Sequence, residues 1–565
     1  MTELAKTVAD DQQVASPLPM TYASEPLVIE NVTASHWDNT CDVLVVGYGG
    51  AGVSAAIEAA SQGASVLAVD RFHGGGATAL SGGVVYAGAT RHQKQGGYED
   101  SVEAMYQYLK MEIGDVVKDE TLRRFCETSN ENLQWLEEHG VEFGDNVYSG
   151  KMTYPPAGYD IYFSGNEKVP DYAAAAKPAP RGHRAVGEKY TGHVFFERLR
   201  ESALRMGVRF QPLSRVTRLI VDAGNAVVGA EVSVIDPLSP AAGELAKIMK
   251  GFNTYGRFFA STTRKAMAKI AALEESAGKT IRVRATKGVI LSTGSFAFNH
   301  QMIETYAPKF IDIVPLGAMG CDGSGIALGY SVGGALGRMD SVTAWRSISP
   351  PVSFVKGIAV NREGKRFVTE DTYVGRLGHE IALQPDCKAW VLIDKQLHSE
   401  AFKSALQISD IPLFEFSGAL HQIHNLLRCT TKGKTLDELA GKCGIDADGL
   451  QATVAHYNET MEKGVDDFGK NTDYHRRIGS GPYYALDISI TNRRNPLPSI
   501  PMGGLYVNEE TGEVRDRNGE SISGLYAAGR AAVGIPSGFY VSGSSLADCV
   551  FSGRRAAAHA VARSE

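Results

Sequence analysis

A buried strand running into a glycine turn and a helix at 41–63, a second apolar strand ending in S-T-G at 292–294, and a third, G-L-Y-A-A-G, at 524–529 together predict an α/β fold. The class is a Rossmann-type dinucleotide-binding domain with an inserted α+β domain. Continuous apolar strands of this kind are buried on both faces of a parallel sheet. The interval between the second and third differs in composition and reads as the insertion. The expected organisation is a surface arm over 1–36, a nucleotide-binding domain over 37–298 and 482–565, and a substrate-capping domain over 299–481. With 565 residues, the chain is too long for one ordinary core, which agrees with two packed units.

Each element follows in chain order. C-D-V-L-V-V-G (41–47) is the first buried strand; A-G-V-S-A-A-I-E-A-A-S-Q-G (51–63) has helical spacing and closes on Gly63; S-V-L-A-V-D (65–70) is the second strand. Residues 100–140 and 187–206 read as helical. The stretch 216–232 alternates apolar and polar residues around an A-G-N turn, which predicts a hairpin laid across the sheet. T-K-G-V-I-L-S-T-G-S-F (286–296) is another buried strand. Mixed helices and short strands fill 299–480; the chain then returns to the first domain and ends in a long helix from about Ser545.

Composition excludes several classes. Hydrophobic content of 43% with 21% charged residues is that of a globular protein, and a net charge of −7 argues against a nucleic-acid partner. The seven cysteines are scattered without a C-x-x-C pair, so no disulfide framework or zinc site is implied and a reducing, cytoplasmic setting is expected. His421 and His424 share a helix face but have no further ligand-type neighbours, and no metal is expected. No run of 18 apolar residues free of charge is present, and the acidic N-terminus is no secretory signal.

One segment stands apart. Between Glu244 and Glu274 there is no acid, while Lys247, Lys250, Arg257, Arg264, Lys265 and Lys269 interleave with Ile248, Met249, Phe252, Tyr255, Phe258, Phe259, Met267 and Ile270. Two readings are open: a solvated helical hairpin packed by its aromatics, or a peripheral membrane contact through 247–270.

The chemistry begins with G-Y-G-G-A-G at 47–52. Between a buried strand and a helix, Gly47 makes the tight turn, Gly49 lets backbone reach a pyrophosphate, and Gly52 lets helix pack on strand. Gly50 and Ala51 complete the turn, and Asp70 at the next strand end, beside Arg71, can take ribose hydroxyls. Three further stretches point to FAD, held non-covalently, rather than NAD. G-G-G-A-T-A-L-S-G-G (74–83) offers a second pass along the pyrophosphate and ribityl chain through Gly75, Gly76, Ala77, Thr78, Ser81, Gly82 and Gly83. Thr293 and Gly294, with Val216 on the hairpin, flank the nucleotide. Gly529 and Arg530 follow the last strand, and Ser544, Ser545 and Leu546 open the last helix, whose positive end would stabilise the reduced flavin.

These motifs, with G-C-D-G-S-G-I-A-L-G-Y-S-V-G-G (320–334), V-N-R-E-G-K-R-F-V-T-E (360–370) and M-G-G-L (502–505), resemble the FAD-dependent fumarate reductase / 3-ketosteroid dehydrogenase superfamily over residues 40–560. Arg530 stands where the family usually has an acid. The family's dicarboxylate-binding arginines fall at Val374 and Tyr540, and its histidine at Ser499 or Ile500; Arg376, two residues late, is a candidate substitute. The stretch P-G-x-G-x-T-x-G-P of the 1,2-dehydrogenating subtype is missing. G-F-Y-V-S-G-S-S-L looks more like the Δ4-(5α) subtype, whose tyrosine and serine, two apart, match Tyr540 and Ser542; Tyr373 is the third site residue.

The resemblance implies dehydrogenation of a 3-keto-5α-steroid to the 4-ene-3-one, with hydride passing to flavin N5. Tyr540 with Ser542 would polarise the ketone or relay the C4 proton, and Tyr373 would assist. Reduced flavin would pass electrons to an external acceptor, since no haem or iron–sulfur spacing is present. Alternatives are a Δ1-ketosteroid dehydrogenase or an enoate or fumarate-type reductase of the same superfamily, and, from another class, a non-catalytic flavin redox sensor.

Overall fold

A computed structural model describes residues 23–563 except 152, 255–259, 350 and 408–417. Its main sheet has nine strands: β1 (Leu27–Ile29), β2 (Asn39–Val46), β3 (Val66–Val69), β4 (Arg209–Gln211), β5 (Ser214–Asp222), β6 (Val227–Val234), β7 (Lys279–Leu291), β8 (Glu513–Arg515) and β9 (Ser521–Ala527). The order β1-β5-β6-β7-β2-β3-β4 carries β9 beside the second half of β7 and β8 outside β9. Strands β7, β2, β3 and β4 are mutually parallel, and β9 joins β7 in parallel. Their C-terminal ends therefore open on one side, where ligands of α/β sheets bind.

Helices α1 (Gly50–Ser61) and α5 (Ser544–Ala562) pack together against one face of this sheet. Their small residues Ala51, Ala55 and Ala59, with Ala556 and Ala560, let the helices come close and are buried with Val43 and Val45. The opposite face is covered by 302–336, where Met302, Ile326 and Leu328 pack on Leu44, Val46 and Val289. A second, antiparallel sheet runs Ile358–Asn361, Ala389–Ile393, Tyr483–Asp487, Thr430–Gly433. Glu370 of the R-F-V-T-E stretch is its buried anchor: Glu370 takes Arg366 at 2.7 Å, Lys470 at 2.8 Å and the Ala359 amide at 2.7 Å.

Four expectations need correction. Residues 27–29 are a strand paired in parallel with Ile220–Asp222, and Ser24 donates to the Thr217 carbonyl, so this part of the 1–36 arm belongs to the sheet; residues 1–22 lie outside the described chain. The 216–232 hairpin does not lie across the sheet but extends it edge to edge as β5 and β6, because β6 pairs directly with β7. The expected limits at 299 and 482 do not coincide with the cores, since Met302, Ile326 and Leu328 pack in the first core and Tyr483–Asp487 is a strand of the second sheet. His421 is half-buried rather than solvated, and burial lowers its pKa to about 4; among the described residues no metal-binding cluster occurs.

The basic excursion is a pair of helices, α2 (Pro240–Thr254) and α3 (Ala260–Ala277). Phe252 and Ile270 are buried with Phe72, Phe298 and Met319, and Ile248, Met249 and Met267 pack at the edge of that cluster. Lys247, Lys250, Arg264, Lys265 and Lys269 are exposed; Tyr255, Arg257, Phe258 and Phe259 fall outside the described residues. No helix among the described residues is long and apolar enough to cross a membrane.

Candidate active site

The turn after β2 shows what each glycine is for. Gly47 sits at φ +94°, and a Cβ there would stand 2.8 Å from the Ser292 backbone. At Gly52 a Cβ would lie 2.0 Å from the Gly47 carbonyl oxygen, so helix α1 rests directly on the turn. Gly49 differs. Its backbone (φ −95°, ψ −158°) suits any residue, and a Cβ would meet nothing nearer than the Gly75 oxygen at 3.7 Å. Neither strain nor protein packing requires glycine there; the space it leaves belongs to a cleft of about 220 Å³.

Around that cleft the fold gathers Gly47, Gly50, Ala51, Asp70, Arg71, Gly76, Ala77 and Thr78, then Val216 from β5, Thr293 and Gly294 after β7, and Arg530 after β9. The Asp70 carboxylate is fixed at the rim by the Tyr48 and Phe72 amides, each at 2.8 Å. Helix α1 opens on the cleft without an acid in its first turn or a capping side chain of its own N-cap residue, a suitable end for a diphosphate. The donor set and the space at Gly49 fit FAD.

Several of the expected contacts also hold the frame together. The Arg71 guanidinium is committed to Glu274 (2.5 and 2.8 Å) and Asp322 (2.5 Å), which ties α3 to the rim. Gly52 packs behind the turn, and Gly529 gives its amide to Ser552 at 2.9 Å. Gly75 donates to the Tyr48 carbonyl at 2.8 Å, and Ser81 to the Thr78 carbonyl at 2.7 Å. The Gly82 carbonyl takes Tyr154 and Thr191, while a Cβ at Gly83 would strike Thr191. Ser544, Ser545 and Leu546 open α5 ahead of Cys549, the residue of that helix that reaches the cleft. Sequence reading missed Met249, Cys321 and Cys549 on the cleft wall, because nothing in their spacing signals a ligand.

The three predicted hydroxyls converge. Tyr540 and Ser542 lie in the loop before α5, and Tyr373 is the N-cap of α4 (Val374–Ala382). They are 8%, 6% and 3% exposed, so a reaction among them would be screened from water. Tyr162, on the strand Ile161–Phe163, joins them with its hydroxyl 3.1 Å from Ser542 Oγ. Its I-Y-F context gives no chemical signal in the sequence. The Tyr373 hydroxyl is buried beside Ser542 and Tyr540 without a full hydrogen bond. Burial pushes all three phenols upward, Tyr373 well above the usual range; at Tyr540 the Arg530 charge works against the rise. Buried phenols of this kind stay protonated and donate.

Trp345 and Tyr540 pack with ring centroids 5.7 Å apart, giving the site an apolar wall. Arg376 is no free carboxylate ligand: it binds buried Glu112 at 3.1 Å, contacts Tyr172 at 3.3 Å, and lies 3.9 Å over the Phe539 ring.

Comparison with known proteins identifies the family. The FAD binding domain family matches residues 42–546. The chain is 37% identical over 521 residues to 3-oxo-5-alpha-steroid 4-dehydrogenase of Comamonas testosteroni, covering 89% of this chain and 95% of that one. It is 28% identical to 3-oxosteroid 1-dehydrogenase of Mycobacterium tuberculosis, covering 92% and 98%. Among solved structures, the 3-ketosteroid-delta4-(5alpha)-dehydrogenase of Rhodococcus jostii RHA1, in complex with 4-androstene-3,17-dione, superposes with a TM-score of 0.77 at 33% identity. That match covers 95% of this chain and 100% of the other.

Proposed function

The chain belongs to the FAD binding domain family, in its fumarate reductase / 3-ketosteroid dehydrogenase branch, and from that premise we propose that it converts 3-oxo-5α-steroids to 4-ene-3-ones. It is an FAD oxidoreductase of the 3-oxo-5α-steroid 4-dehydrogenase kind. The single observation that carries the substrate class is the buried hydroxyl cluster, in which Tyr540 stands where dicarboxylate relatives place an arginine, with Arg376 already paired to Glu112.

FAD, when bound in the cleft through the Gly47–Gly52 turn, Asp70 and the 74–78 loop, supplies the acceptor for the C5 hydride. The protein's own residues handle the rest. Tyr540 is protonated and has a cation near it, so it is the better acid of the phenols and donates to the 3-ketone oxygen as negative charge develops there. A polarised ketone makes the C4 proton acidic. Ser542, with Tyr373 beside it, relays that proton away from C4, giving up its own hydroxyl proton as it takes the new one. The apolar wall of Trp345 and the Tyr540 ring accommodates a flat hydrocarbon and excludes water. Electrons leave to an external acceptor. The exposed Lys247, Lys250, Arg264, Lys265 and Lys269 of α2 and α3 give the enzyme a peripheral contact with anionic lipid, near which an apolar substrate would concentrate.

The decisive experiment is anaerobic. Oxidised protein mixed with 5α-androstane-3,17-dione should lose its flavin absorption band, while succinate should leave it unchanged. Bleaching by succinate alone would return the chain to the fumarate-type reductases, and bleaching by neither would favour a redox sensor.

A further inference from the structure

Residues 162–166 form one short strap that touches both halves of the hydroxyl cluster. Tyr162 meets Ser542 Oγ at 3.1 Å, and Ser164 Oγ donates to the Ser542 carbonyl at 2.9 Å. Asn166 Oδ1 accepts from the Tyr373 amide at 2.6 Å and from Thr372 Oγ1 at 3.1 Å. Asn166 is itself fixed: its Nδ2 donates to Glu112 Oε1 at 2.8 Å, and its amide donates to Tyr108 at 2.8 Å. Tyr162, Ser164 and Asn166 are at most 1% exposed. Ser542 and Tyr373 come from opposite ends of the molecule's topology, so no local element holds them in register. The strap does.

The Tyr162 hydroxyl lies 3.2 Å from the Thr153 carbonyl, which can only accept, and Ser542 Oγ lies 3.4 Å from the same oxygen. Tyr162, Ser542 and Thr153 form one closed triangle, which fixes where Ser542 Oγ sits.

We propose that Tyr162, Ser164 and Asn166 are positioning residues of the dehydrogenation, with Tyr162 holding Ser542 Oγ at the site where the C4 proton is taken. This rests on the steroid dehydrogenase reading given above. Tyr162 acts through Ser542 alone, so its contribution exists only while Ser542 is present. Asn166 acts through Tyr373 in the same way.

The test is a double-mutant cycle read by anaerobic flavin reduction with 5α-androstane-3,17-dione. Tyr162→Phe should keep FAD content and KM while kcat falls about 10- to 100-fold, the loss of one oriented hydrogen bond to a reacting group. In a Ser542→Ala background the same change should cost less than about twofold, because the group it orients is gone. A structural role would instead give equal losses in both backgrounds, and that result, or a Tyr162→Phe enzyme within about threefold of wild type, overturns the proposal. Should Tyr162→Phe lose FAD, Ser164→Ala takes its place in the cycle, with the same non-additivity expected. If the wild-type protein is not reduced by the steroid at all, the underlying reading fails and this proposal with it; if wild type and Ser542→Ala behave as expected and only the strap variants do not, the strap alone is wrong.

Discussion

Gly49 and Gly52 separate two jobs that the motif G-x-G-x-x-G combines, and a pair of substitutions should pull them apart. In Gly52→Ala the new methyl would lie 2.0 Å from the Gly47 oxygen and 2.8 Å from Ser292 Oγ. That is about an ångström inside any tolerable contact with backbone, so α1 must lift off the turn, at a cost of about 1–3 kcal/mol before any ligand is considered. In Gly49→Val the Cβ has 3.7 Å to Gly75 and 3.8 Å to Thr78, and the backbone is already extended. The apo protein should keep its stability within about 0.5 kcal/mol. The side chain instead fills the cleft, and FAD affinity should fall by about 1–3 kcal/mol or more, roughly 5- to 150-fold. Thermal unfolding of apo protein with and without added FAD reads both terms, since a ligand stabilises in proportion to its affinity. Gly49→Val should match wild type without FAD and lose the FAD-dependent rise in Tm; Gly52→Ala should melt low in both states. A Gly49→Val protein that melts low as apo, or that binds FAD with wild-type affinity, would refute the assignment of this cleft to the dinucleotide.

Three further outcomes are expected. Tyr540→Phe keeps the ring against Trp345 and removes only the oxygen, so kcat for the steroid should fall about 10²–10⁴-fold with FAD retained; a variant within about threefold of wild type would make Tyr540 a wall of the pocket. Burial pushes the Asp548 carboxyl up to about 6, above its unfolded value, so ionisation opposes folding. The penalty is absent below about pH 4, grows through pH 4–6 and is complete above it. Asp548→Asn should therefore gain stability relative to wild type as pH rises across that window, by up to about 3 kcal/mol, and a difference flat with pH in denaturant melts would contradict this. Finally, the protein should sediment with anionic vesicles at low salt and release as salt rises, because exposed charges are screened beyond roughly 8–10 Å at physiological ionic strength. Equal sedimentation with and without vesicles would leave α2 and α3 as a solvated pair packed on Phe72 and Phe298.

The β–turn–helix at 39–61, the apolar strands ending at Leu291 and Ala527, and the long last helix were all legible in the sequence. Each is set by local pattern: a glycine turn, apolar continuity, helical spacing. The sequence also brought Tyr540, Ser542 and Tyr373 forward together, through the order of motifs rather than through any local rule. Domain limits were less legible. Residues 302–336 carry ordinary amphipathic elements, and nothing local says which of two cores they complete.

By itself, then, the sequence determined the dinucleotide turn and the α/β class, because those depend on residues near one another in the chain, while the order of its motifs raised the three hydroxyls. Only the tertiary structure decided that the Arg71 guanidinium is held by Glu274 and Asp322, that Arg376 is paired with Glu112, and that Tyr162 faces Ser542 across 380 residues of chain. Those are charge and hydrogen-bond pairings, and a buried polar group takes whichever partner the packing of distant segments brings within about 3 Å.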